Sequence, residues 1–170
     1  MAELKFRDLK AEEIECRIAM VKANGLSLLL YKDARCDMNI LDETVGAFNW
    51  KREHTRENAN CIVAIWDETK AQWVSKEDTG TESNTEAAKG LASDSFKRAC
   101  FNWGIGRELY SAPKIVLYLN DGEYYMDGNK VKMTATFYVR SIGYDNDGNI
   151  SELAVSDNDG NIRFQFPRIR

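Results

Sequence analysis

The chain has 170 residues, 44% hydrophobic and 29% charged, a length that favours one domain and a balance that excludes global disorder. Its longest apolar run, Cys61-Ile62-Val63-Ala64-Ile65-Trp66, falls far short of the ~20 residues a membrane-spanning helix needs, so no membrane partner is expected. A net charge of −4 removes the strongly basic signature of many nucleic-acid binders and leaves the placement of the 23 Lys and Arg residues to decide.

From Met1 to Lys10, charges alternate with isolated apolar residues, with no apolar core or cleavage site, so no export signal is expected. From Asp8 to Val21 the residues Leu9, Ile14, Ile18 and Val21 recur at helical spacing, with Asp8 as N-cap and Gly25 as a stop. That pattern predicts an amphipathic helix. Leu26 to Lys32 predicts a buried strand with Tyr31 at its end and Arg35 in the following turn, and Asp37 to Val45 a short helix closed by Gly46.

Three strand-like runs follow, Phe48 to Arg56, Cys61 to Trp66 and Gln72 to Lys76, joined by polar turns so short that an antiparallel meander is predicted. Glu77 to Ser83 lacks any apolar residue and predicts a loop. The longest helix is predicted from about Asn84 to Trp103, opened by a capping box of Ser83 with Glu86 and stopped by Gly104. On it Ala88, Leu91, Ala92, Phe96, Ala99, Cys100 and Trp103 form a core-facing arc, with Asp94, Lys97, Arg98 and Phe101 opposite.

After Pro113 the runs Ile115 to Leu119, Tyr124-Tyr125, Thr134 to Ile142, Leu153 to Val155 and Phe164 to Phe166 predict strands. Asp-Gly pairs at Asp121, Asp127, Asp147 and Asp159 supply the turns between them. The predicted class is α+β: an antiparallel β-sheet meander packed against a long helix, a β-β-β-α core, with an additional C-terminal β-meander over 113–170 in the same single domain.

Most chemical motifs reduce to structure. Cys16, Cys36, Cys61 and Cys100 are dispersed, which suits a reducing cytosol and offers neither a disulfide framework nor, with His54 alone, a zinc site. The DNDGNI sequence at Asp145 and Asp157 resembles part of a calcium loop. Its EF-hand register would put the first ligand on Gly143 or Val155 and the bidentate position on Ala154 or Phe166, so two hairpin turns are expected instead. Gly104-Ile105-Gly106-Arg107 follows a predicted helix and reads as a C-cap, and no GxxxxGK[ST] run exists to hold a nucleoside triphosphate. His54 has no serine or cysteine at a diagnostic spacing, and no carboxylate pair stands out among 27 acidic residues. Neither enzymatic activity nor a metal or other cofactor is expected.

One constellation remains. Lys97 and Arg98 flank Phe101 at about 40° and 60° around the long helix. Cations suit backbone phosphates and an aromatic plane suits unstacked bases, so the trio fits single-stranded nucleic acid. The same periodicity equally allows Phe101 to pack under the meander with both cations solvated.

The segment from Thr85 to Tyr110, TEAAKGLASDSFKRACFNWGIGRELY, resembles the Rad-fifty-two/Rad-twenty-two family of double-strand-break repair proteins, especially its phage-encoded single-strand annealing members. The matching positions are Glu86, Ala88, Lys89, Asp94, Phe96, Lys97, Arg98 and Ala99, then Trp103 and Gly104. Upstream, Asn39 to Gly46 leads through Phe48-Asn49-Trp50 into the strands, so the likeness extends over about Asp8 to Ala112. Beyond Pro113 nothing matches the eukaryotic members.

The resemblance implies that Arg35 is the inner DNA-contacting arginine and Lys97 and Arg98 the family's Lys-Arg pair. The groove tyrosine falls near Phe48, which lacks the hydroxyl, and Phe101 replaces a third basic residue. Lys76 and Lys89 are candidates for an outer DNA site. It further implies a homo-oligomeric ring that holds single-stranded DNA and anneals complementary strands without ATP, in recombination and repair, within the cytoplasm of a bacterial or phage-infected cell. A single-strand-binding protein or an exonuclease would be a further partner. Repetition around a ring would turn a weakly basic patch into a long cation track. Two alternatives stay open: a protective single-strand-binding protein that does not anneal, and a metal-dependent nuclease.

Overall fold

The computed structural model describes residues 3–22, 25–81 and 87–167, a mixed α+β fold of antiparallel sheets and two α-helices in which strands predominate. In chain order the elements are β1 (Glu15–Lys22), β2 (Gly25–Tyr31), α1 (Ala34–Val45), β3 (Trp50–Thr55), β4 (Asn60–Asp67), β5 (Gln72–Thr79) and α2 (Ala87–Trp103). Then come β6 (Ile115–Tyr118), β7 (Tyr124–Asp127), β8 (Lys130–Met133), β9 (Phe137–Tyr144), β10 (Ile150–Asp157) and β11 (Ile162–Phe166). The chain divides into two compact units, one of Met1–Asp8 with Asp33–Arg107 and one of Leu9–Lys32 with Glu108–Arg170.

In the first unit, α1 starts because the Asp33 carboxylate accepts the Cys36 N–H at 2.9 Å, and it stops at Gly46, whose φ of +87° a residue with a side chain rarely adopts. Arg35 therefore lies inside the first turn of α1, not in a turn before a helix starting at Asp37. The Trp50 indole donates to Asp42 at 2.6 Å, which fixes the entry into β3. The sheet order is β3-β4-β5, with Trp50 opposite Ile65 and Ile65 opposite Val74. α2 lies against β4 and β5, burying Leu91, Phe96, Ala99 and Cys100 with Cys61, Val63 and Ile65. Phe96 stacks on Trp50 at 6.1 Å between ring centroids. Gly80 permits the close approach of the segment after β5, since a β-carbon there would sit 2.6 Å from the Ser95 nitrogen. At the far end Gly104, with φ +107°, donates its N–H to the Phe101 carbonyl. The capping pair Ser83 and Glu86 lies outside the described residues, as does the side chain of Ala88.

The second unit holds a six-stranded antiparallel sheet in the order β11-β10-β9-β1-β2-β6, with β7 and β8 as a separate hairpin. Leu26, Leu28, Ile115, Leu117, Phe137, Val139, Leu153 and Val155 are buried. Arg163 links the two ends of the sheet. It donates to the Tyr118 carbonyl at 2.8 Å, pairs with Glu123, and lies 3.2 Å from Asp157. The Arg163 guanidinium holds the Glu123 carboxyl below its usual range, and the carboxylates hold Arg163 above its own. For Asp157, burial pushes the pKa up, but hydrogen bonds from the Asn161 N–H and from Arg163 outweigh it and leave it lowered.

Three expectations need correction here. The helix expected over Asp8 to Val21 is a single 3-10 turn, Ala11–Glu13, followed by β1. The cause is a bulge between Ile18 and Met20: Ile18 faces Leu28 and Val21 faces Leu26, so residues three apart share one face of a strand and mimic helical spacing. Second, the strands of 113–170 do not form a meander of their own, because β9 pairs with β1 and β6 with β2. Third, two local elements differ: the loop expected from Glu77 begins only after Thr79, because Glu77, Asp78 and Thr79 pair with Ile62, Cys61 and Asn60 in β5, and β8, whose Lys-Val-Lys-Met sequence pairs with β7, lies where the sequence predicts no strand. The two DNDGNI copies are matching hairpin turns. Asp145 accepts the N–H groups of Asp147 and Asn149, and Asp157 those of Asp159 and Asn161.

Candidate nucleic-acid interface

The motif residues of α2 divide by role. Asp94 accepts the Thr81 N–H at 2.8 Å and so anchors the chain leaving β5. Phe96 and Ala99 are core, Trp103 donates its indole N–H to the Val63 carbonyl at 3.0 Å, and Gly104 ends the helix. Lys97 is half-buried and Arg98 exposed.

Along the edge strand β5, α2 makes polar contacts that gather cations. Arg98 lies 3.6 Å from Asp78, and the Asn102 amide donates to the Glu77 carbonyl at 3.0 Å and to Asp78 at 3.2 Å. The last carbonyls of a helix lack intrahelical partners and carry the negative end of its dipole. Two cations answer them. Lys76 donates to the Asn102 carbonyl at 2.8 Å and sits 4.7 Å from the centroid of the Trp103 ring. Arg107 donates to the same oxygen at 2.9 Å and to the Phe101 carbonyl at 2.8 Å, with its guanidinium 5.5 Å from the Phe101 ring. Lys76, Arg98, Arg107, Phe101 and Trp103 therefore converge on the C-terminal half of α2. Asp78 is the carboxylate within this group.

The other expected residues stand apart. Lys89 is exposed on α2, eight residues and about 12 Å of helix rise before Lys97. Arg35 projects from the first turn of α1, its side chain 86% exposed and 3.0 Å from Asp33. Phe48, 97% exposed, occupies the turn between Gly46 and β3. Among the described residues, neither hydrogen-bonds into the group around Asn102. Read as a helix stop, Gly104 to Arg107 gives no hint that Arg107 turns back onto the last carbonyls of α2. A basic residue just beyond a helix C-terminus was the available signal.

His54 has a partner that its sequence surroundings did not show: its Nδ1 lies 3.4 Å from the Ser95 hydroxyl. Ser95 is fully buried and donates to the Asn58 carbonyl at 2.9 Å, so it latches α2 to the β3–β4 turn and does not face a substrate. Burial and then the charge of Arg52 lower the His54 pKa, which keeps the ring neutral at pH 7. Burial pushes the Cys16 and Cys61 thiols up to about 11, away from the reactive thiolate form. Among the described residues, no group of three or more His, Cys, Asp or Glu side chains could hold a metal ion, and no helix is long and apolar enough to cross a membrane.

Comparison with protein-family models, curated proteins and solved structures finds no match.

Proposed function

We propose that the chain binds single-stranded DNA and anneals complementary strands without ATP, as an oligomeric ring acting in homologous recombination and repair. The supporting observation is the convergence of Lys76, Arg98 and Arg107 with Phe101 and Trp103 at the α2–β5 edge; Lys97 lies on the same helix, one residue before Arg98. Cations there meet phosphates, and the half-buried Phe101 and Trp103 rings, each with one cation over it, supply aromatic surface beside them for an unstacked base. The succession β3-β4-β5-α2 is in keeping with the β-β-β-α core that the sequence resemblance implies. Base pairing supplies the free energy of annealing. The protein neutralises repulsion between strands and orients them, which lowers the kinetic barrier without covalent chemistry. Ring assembly accounts for function at a net charge of −4, because each copy adds its own cations to one track.

The test is the rate at which two labelled complementary oligonucleotides pair at low salt, without ATP or divalent metal. The full chain accelerates pairing, and added salt removes the acceleration. Lys97→Ala combined with Arg98→Ala weakens binding to every sequence and flattens the salt slope by ~0.7 per lost phosphate contact. Unchanged affinity and slope in that variant would remove the assignment of the pair. Binding without acceleration would identify a protective single-strand binder, and metal-dependent shortening of the strands a nuclease.

A further inference from the structure

The outer face of the six-stranded sheet in the second unit carries another gathering of aromatic and cationic side chains. Leu26, Leu28, Ile115 and Leu117 are buried, so strand alternation puts Ser27, Leu29, Val116 and Tyr118 on the opposite face. Pairing sets Tyr118 across from Gly25 and Gly25 across from Lys22, while Val116 faces Ser27 and Ser27 faces Met20. Gly25 leaves the middle of its row bare. The result is a groove of about 540 Å³ lined by Met20, Lys22, Ser27, Lys114, Val116 and Tyr118, with apolar walls, two ammonium groups and no carboxylate.

Tyr118 is 79% exposed, yet its backbone is held in place by the hydrogen bond from Arg163 to its carbonyl. Farther along the same face, the Arg17 guanidinium lies 4.9 Å from the centroid of the Tyr31 ring, and Tyr138 stands across β1 from Tyr31, with Glu15 between them. On this face Arg17 is paired with Glu15 at 3.2 Å, which leaves Lys22 on β1 and Lys114, just before β6, with no carboxylate among the residues lining the groove. In a chain of net charge −4, that is a local positive field.

We propose that this face is a second contact surface for single-stranded nucleic acid, with a base stacked on Tyr118 and phosphates at Lys22 and Lys114. The inference rests on the single-strand reading above for its ligand class, but it uses different residues in the other unit. A duplex keeps its base planes stacked inside and offers Tyr118 nothing to stack on. A second copy packed symmetrically on this face would set lysines against lysines. A single strand meets both the exposed ring and the charge.

Fluorescence anisotropy of a labelled oligo-dT titrated with the full chain at low salt tests the proposal. Tyr118→Ala weakens binding ~5-fold or more, the effect of losing one stacked base, and Tyr118→Phe restores it. Lys22→Ala with Lys114→Ala flattens the salt slope by ~1.4, or ~0.7 per lysine. If Tyr118→Ala and the double lysine variant bind like the wild type while Lys97→Ala/Arg98→Ala binds poorly, this surface is wrong and the α2 assignment stands. No binding by the wild-type chain overturns both. Weaker binding by Tyr118→Ala together with a smaller assembly in sedimentation makes the face a contact between copies and also overturns the proposal.

Discussion

The first unit builds its sheet from three strands consecutive in the chain, whereas the second joins strands from residues 15–31 to strands from residues 115–166. Their charges are arranged as differently. In the first unit Lys76 and Arg107 converge on the carbonyls at the end of α2, so the cations are organised by a helix terminus. In the second, Arg163 is enclosed with Glu123 and Asp157 while other cations spread over the outer face of the sheet. A helix end concentrates positive side chains at one point, and a sheet face distributes them in rows at strand spacing.

Core packing in the first unit is where this contrast breaks most severely. Phe96→Ala removes a fully buried ring stacked on Trp50 and is expected to cost about 3–5 kcal/mol in urea unfolding; a loss under about 1 kcal/mol would detach α2 from that core. In the second unit, Arg163→Met leaves Glu123 and Asp157 together without their cation, at an expected cost of about 3 kcal/mol at pH 7. Both carboxyl pKa values are lowered in the folded protein, so their stabilisation is complete above the ordinary carboxylate values of about 4 and is lost as pH falls through the folded values. The gap between Arg163→Met and wild type therefore narrows between pH 7 and pH 3, and a constant gap would show that the network does not act through charge. A finer distinction lies between two glycines of the first unit. Gly80→Ala drives a β-carbon against Ser95 and costs about 1–3 kcal/mol, while Gly104→Ala has open space around it and costs about 1–2 kcal/mol through backbone strain alone. Thermal melts of the two variants separate them, because a crowded site is worsened by Gly80→Val whereas a strained, open one responds little to side-chain size.

Legibility in the sequence followed the same division. Gly46 and Gly104 announced the ends of α1 and α2, and Cys61 to Trp66 stood out as a central strand, because each signal lies within the element it defines. The Asp-Gly pairs likewise located the turns of the second unit. Its sheet order was not readable, since nothing near Gly25 indicates that Tyr118 will face it. In β1 one bulge gives Ile18 and Val21 the spacing of a helix, so periodicity alone points to the wrong element. In the candidate interface, helical periodicity correctly put Arg98 on the polar side of α2, but it carried no information about Asp78 or Lys76 on β5. The pairing of His54 with Ser95 was hidden for the same reason: it depends on how α2 lies across the sheet.

The separation of β2 from its partner β6 also has a consequence for how the chain is made. The residues between Tyr31 and Ile115 take on the order of 4–17 s to leave a ribosome working at about 5–20 residues/s. During that interval residues 33–107 emerge as one uninterrupted stretch and can complete their own sheet and helices, while one side of β2 waits without the strand that will cover it. An uncovered strand edge pairs readily with other chains. On a crowded polysome, exchange of strands between neighbouring nascent copies therefore competes with correct folding until residue 115 emerges, so that slower translation lengthens the exposure and cooler expression, by slowing both processes, does not simply relieve it.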